Sequence, residues 1–127
     1  MHGMVLFRTF VIDQGEPEEE LREEAISNVD AAFEPYIDSY IDYYNVDDKG
    51  AKSFLVTKSG EKVQACRATD FAGFDDDCYP YGYLWAGMMD CFMFEKYGFP
   101  WETVVNKEIE EAQEDTDQWF VAVDVHI

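Results

Sequence analysis

A chain of 127 residues that is 47% hydrophobic and 17% aromatic is too apolar to stay disordered, and its length suits one domain burying roughly two-thirds of its unfolded surface. Against nine Lys and Arg stand 28 Asp and Glu, a net charge of −19 that disfavours DNA, RNA and anionic membranes as partners. The charge comes in blocks, net −11 over residues 1–48, +4 over 49–69 and −12 over 70–127, so a cation or a cationic protein is the favoured partner.

Residues 5–12 (VLFRTFVI) are β-branched and aromatic, apolar on both faces apart from Arg8, which predicts a strand inside a sheet. Pro17 and the acids Glu18, Glu19 and Glu20 then open a helix whose apolar stripe is Leu21, Ala25, Ile26, Val29 and Phe33. Pro35 interrupts it. A second helix is expected over 35–44, with Phe33, Ile37, Tyr40, Ile41 and Tyr44 inward and Glu34, Asp38 and Asp42 forming an acidic row. Tyr36 and Tyr43 lie beside that row as aromatic anchors of the kind interfaces favour.

A hairpin is predicted from 53–58 and 62–69 around a two-residue Ser59-Gly60 turn. That register pairs Val56 with Val63 and Phe54 with Ala65, and sets Lys52 opposite Arg67, so an acidic neighbour is expected between the two cations. Residues 70–81 (DFAGFDDDCYPY) read as a loop that presents Asp75, Asp76 and Asp77 among aromatic residues, in the manner of a contact loop. The run 81–99 (YGYLWAGMMDCFMFEKYGF) has no polar face except at Asp90 and is too short to span a bilayer; it predicts a central core helix with Gly98 as C-terminal cap. Pro100 begins a last helix with Trp101, Val104, Val105, Ile109 and Ala112 on one face. Glu102, Glu108, Glu110, Glu111 and Glu114 lie outside that stripe, and Glu108, Glu111 and Glu114 give a second candidate surface. The alternating residues 118–127 predict a closing strand. The expected architecture is one α+β domain over 1–127, a mainly antiparallel sheet of about four strands with helices packed against it, in the order β-α-α-β-β-α-α-β.

Catalytic material is sparse. His2 and His126 stand at the two ends, and no Gly-x-Ser-x-Gly, P-loop or H-E-x-x-H pattern occurs, so no enzymatic activity and no cofactor are expected. Asp75–Asp77 lack the spacing of an EF-hand, and Cys66, Cys78, Cys91 and His126 match no zinc ligand pattern, so no metal is expected either. An odd number of cysteines without C-x-x-C spacing, and no charged region leading into an apolar one at the start, are the expectation for free thiols in a reducing cytoplasm.

In size, charge and aromatic content the chain resembles the acidic DNA-mimic inhibitors of phages and mobile elements, the anti-restriction and anti-CRISPR proteins. The resemblance involves no motif. It implies stoichiometric inhibition, in a host cytoplasm, of a basic nuclease or a CRISPR or restriction complex, by carboxylates that occupy a groove built for phosphates. Two alternatives share the composition: an immunity protein that neutralises a basic nuclease toxin, and an acidic adaptor or structural protein whose charge maintains solubility. A homodimer, with the basic hairpin against an acidic segment, is a further expectation.

Overall fold

The computed structural model describes residues 2–37, 41–46, 54–75, 80–86, 92–94 and 101–126. Strand β1 (His2–Phe10) lies in the middle of the main sheet, as its two apolar faces require, between β7 (Pro80–Trp85), which runs parallel to it, and the antiparallel β9 (Gln118–His126). β8 (Phe92–Phe94) extends the sheet beyond β7, and β2 (Tyr43–Asn45) and β5 (Ala65–Arg67) both pair with the free side of β9. A smaller sheet has the order β4 (Lys62–Val63), β3 (Leu55–Thr57), β6 (Phe71–Phe74).

Alternation along β1 divides the core in two. Val5 and Phe7 face helix α1 (Glu18–Phe33), which buries Leu21, Ala25, Val29 and Phe33 against them and against Val121, Val123 and Val125. Met4 and Leu6 face the other way, toward Val105, Ile109 and Ala112 of helix α2 (Trp101–Ala112) and toward Leu55, Val63 and Phe71 of the small sheet. The main sheet is therefore covered on both sides. In β7, Met4 pairs with Pro80 and Val5 with Gly82, so Tyr81 is an extra, bulged residue. That bulge lets Tyr81 and Leu84 join the α1 side while Tyr83 and Trp85 join the α2 side.

Three expectations are corrected. The central helix over 81–99 does not form where the chain is described: residues 80–85 and 92–94 are strands, with Tyr83 opposite Met93. An apolar run without a polar face suits a fully buried strand as well as a buried helix, and its aromatic residues favour the strand. Gly98, Asp90 and Cys91 lie outside the described residues. The second helix over 35–44 is replaced by a single 3₁₀ turn, Glu34–Tyr36, an Ile37–Ile41 bridge and β2. Pro35 stops the α1 geometry, and the edge of β9 supplies backbone partners that a helix would forgo. The order with four helices thus gives way to a mostly β chain with two α-helices among the described residues.

The hairpin forms one register away from expectation, with Leu55 opposite Val63 and Val56 opposite Lys62. Lys58, Ser59 and Gly60 make a three-residue loop in which Gly60 takes φ +88°, and Gly60 N donates to Thr57 O at 2.9 Å. A glycine in the left-handed region is what this loop length demands. The slip turns Leu55 rather than Val56 into the core. After Val63 the chain leaves the small sheet, and Arg67 pairs with Trp119 instead of Lys52, which lies outside the described residues.

Candidate partner-binding surface

With Leu21, Ala25, Val29 and Phe33 turned inward, α1 carries its acids outward. Glu19, Glu20, Glu23, Glu24 and Asp30 are exposed, and Glu34 continues the row in the 3₁₀ turn. The helix is 16 residues, or about 24 Å, long. The five on the helix itself amount to about one per 5 Å, against the one phosphate per ~3.4 Å of a single DNA strand. Among the described residues, Glu20, Glu23, Glu24 and Glu34 have no cationic partner. The apolar stripe of this helix was the signal for the acidic face, because fixing the inner residues fixes the outer ones.

The row expected of Glu34, Asp38 and Asp42 does not exist as one helical face. Glu34 is exposed at the end of α1, Asp38 lies outside the described residues, and Asp42 sits just before β2. Asp42 Oδ2 is 2.8 Å from His126 Nδ1, and the Tyr43 ring stacks on His126 at 4.9 Å with planes 5° apart. Tyr43 is half exposed at the sheet edge. Tyr36 instead packs against the α1 side of the core, so the two expected anchors do not share a surface. Tyr44 donates to Asp30 Oδ1 at 2.7 Å, and loss of solvent together with the Asp30 and Glu34 charges pushes its hydroxyl up to about 12.

Of the contact-loop aspartates, Asp75 is half-buried and holds Lys62 Nζ at 3.3 Å, while Asp76 and Asp77 lie outside the described residues. Glu110 and Glu111 on α2, and Glu114 in the turn just after it, are exposed. Glu108 is turned inward: its Oε2 accepts from Arg8 Nη1 at 2.7 Å and from the Tyr83 hydroxyl at 3.2 Å, and Glu111 Oε1 is 3.4 Å from Arg8 Nη2. Arg8, fully buried, also donates to Gln118 Oε1 and lies 3.9 Å over the Trp85 ring. Glu108 therefore supports the fold from a position that looked solvated in sequence. Burial among these groups raises the Tyr83 hydroxyl well above its ordinary value.

Two cations of the basic segment, Lys62 and Arg67, find acids within the chain. Arg67 donates to both Glu18 oxygens (Nε to Oε1 3.1 Å, Nη2 to Oε2 3.1 Å), to Asp13 Oδ2 at 3.1 Å and to Thr116 O at 3.0 Å. The Glu18 carboxylate, then Asp13, holds its guanidinium above the usual value. Asp13 is held below the carboxylate range by the Gly15 N–H first and by Arg67 second. Cys66 is buried, and loss of solvent, reinforced by Asp70, pushes its thiol up to about 12; it is no nucleophile at neutral pH. Among the described residues, no three His, Cys, Asp or Glu side chains gather as a metal site would need.

No helix among the described residues is long and apolar enough to cross a membrane. No family model, curated protein or solved structure matches the chain.

Proposed function

We propose that this protein is a non-enzymatic inhibitor that occupies the nucleic-acid groove of a basic partner, a nuclease or a CRISPR or restriction complex. The single observation that carries the reading is the outer face of α1, where Glu20, Glu23 and Glu24, with Glu34 just beyond, stand without a cationic partner among the described residues on a helix clamped to the sheet by four buried residues. Rigidity matters because a spacing held before binding lowers the ordering cost that a flexible acidic tail would bear. Exposed Glu110 and Glu111 on α2, with Glu114 in the turn after it, offer a second acidic strip, and half-exposed Tyr43 offers aromatic area at the sheet edge.

The test is capture on the immobilised protein from host lysate, followed by elution with duplex DNA at low salt. Release by DNA, loss of capture at high salt, and failure of a Glu20→Lys/Glu24→Lys/Glu34→Lys variant to capture the same protein are expected. Capture indifferent to DNA and to salt overturns the mimicry.

A further inference from the structure

Between α1 and the ends of the parallel strands β1 and β7 lies a hollow of about 590 Å³. The helix lines it with the short side chains of Ser27, Ala31 and Ala32, and the sheet lines it with Thr9 and Leu84. Thr9 and Leu84 are buried, whereas Ser27, Ala31 and Ala86 are exposed, so the hollow opens to solvent. Its polar lining is already engaged within the chain. Asn28 Nδ2 donates to Thr9 Oγ1 at 3.0 Å and to Phe10 O at 3.3 Å, and Ser27 Oγ donates to Glu24 O at 2.7 Å. What remains for an incoming group is apolar surface from Ala31, Ala32, Pro35 and Leu84, with room for a ring system rather than a methyl group.

The helix that walls the hollow also sets the charge around it. Glu24 stands one turn before Ser27 and Asn28, Glu20 one turn before Glu24, and Glu34 three residues beyond Ala31. All three carboxylates are exposed and have no cationic partner among the described residues. Among the described residues, no Lys, Arg, Asp or Glu lines the hollow itself. An apolar socket bracketed by uncompensated carboxylates complements an apolar group carried between cations. A second copy of this chain, at a net charge of −19, would bring acid to acid.

We infer that this hollow seats one aromatic side chain of the basic partner, with Lys or Arg residues beside it in sequence pairing with Glu20, Glu24 and Glu34. The inference rests on the reading above and deepens it: the α1 carboxylates draw the partner in, and the ring fixes where it stops. Aromatic anchors in desolvated pockets dominate the binding energy of an interface, while charges around them mainly speed encounter and reject wrong partners.

The experiment titrates isotopically labelled protein with the peptide acetyl-Lys-Trp-Lys-amide and follows the Asn28 side-chain amide and the backbone amides of Ala31, Ala32 and Ala86 by NMR. Acetyl-Lys-Ala-Lys-amide, which lacks the ring, and acetyl-Glu-Trp-Glu-amide, which reverses the charge, serve as the other arms. Saturable shifts at these residues are expected with the first peptide, and binding about tenfold weaker with each of the others. Ala31→Leu fills the hollow from an exposed position with another good helix former, and should abolish the shifts while leaving the unfolding midpoint unchanged. The inference is overturned by any of four results: no saturation; equal binding of either control peptide; binding to Ala31→Leu as to wild type; or a dimer of the free protein in sedimentation that Ala31→Leu abolishes, which would give the hollow to a second copy. No nuclease or nucleic acid is present, so a failure here leaves mimicry by α1 standing, and a failure of DNA-sensitive capture leaves the peptide result standing.

Discussion

Arg8 Nη1 donates to Glu108 Oε2 at 2.7 Å, tying the centre of β1 to α2 across the second half of the core. The guanidinium is 1% exposed and the carboxylate 24%, so the pair lies mostly out of water. Removing one partner strands a buried charge, which costs more than the pair contributes. Glu108→Ala should lower unfolding free energy by about 3 kcal/mol, toward the low end for buried pairs because Glu108 is partly solvated and Glu111 remains nearby. Replacing both, as Arg8→Met/Glu108→Leu, should recover part of that loss. Urea unfolding of the three proteins measures it; additive losses would show that the two residues are not coupled.

The β3–β4 loop gives a sharper local test. At Gly60 an added Cβ would meet nothing within 4 Å, so any cost of Gly60→Ala comes from φ +88° rather than from crowding. The variant should lose about 1 kcal/mol in chemical unfolding. A neutral result would mean that the loop adopts another geometry in solution.

How far the fold could be read depended on how many structures each stretch was able to satisfy. In sequence β1 is apolar on both faces, β9 alternates, and α1 and α2 each have a stripe and a proline start, so each pattern has one reading. The 81–99 run had no pattern at all, and a side chain buried on every side fits either a helix or a central strand. At residues 35–44, apolar residues fell at helical spacing, but the free edge of β9 decided the outcome, and an edge 80 residues away is invisible locally. The candidate surface suffered for the same reason. The row of Glu34, Asp38 and Asp42 needs a helix that does not form, while Glu18, Glu19 and Glu20 mark the start of a helix whose outward face follows from Leu21, Ala25, Val29 and Phe33. Arg8 is the exception in an apolar strand; its partner, 100 residues on, has no sequence mark.

Acid should loosen the clamp on Arg67. Asp13 has its folded pKa held below 3.8, so its contribution is present above the unfolded pKa and is lost as pH falls through the folded one. Unfolding free energy should therefore decline below about pH 4. Arg67→Met removes the second cause of the shift and should flatten this decline; high salt should do so too, because the carboxylates are exposed enough to be screened. Identical acid profiles for wild type and variant would remove Arg67 from the account.

Alkali acts through a different group. The Cys66 thiol sits at about 12 in the folded chain against 9.0 when free, so the folded state keeps a proton that the unfolded state has lost. Through this thiol, stability is unaffected below pH 9 and should fall by about 1.4 kcal/mol per pH unit above it. Tyr44, also raised to about 12, adds to the fall once its unfolded hydroxyl ionises near 10. Urea midpoints in reducing buffer between pH 8 and 10 measure this, and Cys66→Ala should remove the part that begins at 9. An unchanged slope in that variant would assign the effect elsewhere.

The functional reading makes a kinetic claim about α1. Glu20, Glu24 and Glu34 are exposed, so in a complex they would act mainly by steering the approach of a basic groove rather than by holding it afterwards. Against a captured protein that DNA releases, Glu20→Gln/Glu24→Gln/Glu34→Gln should slow association on the order of tenfold and leave dissociation nearly unchanged. Tyr43→Ala should do the reverse if the sheet edge belongs to the interface, because a desolvated ring contributes to holding the complex together. Neutralising Glu110, Glu111 and Glu114 gives the matching test for α2, and comparing the two helices decides which one faces the groove. Stopped-flow association at two salt concentrations separates these effects, and the rate difference between wild type and the α1 variant should shrink as salt rises. Equal association rates at low salt would remove α1 as the recognition face, whatever the captured partner proves to be.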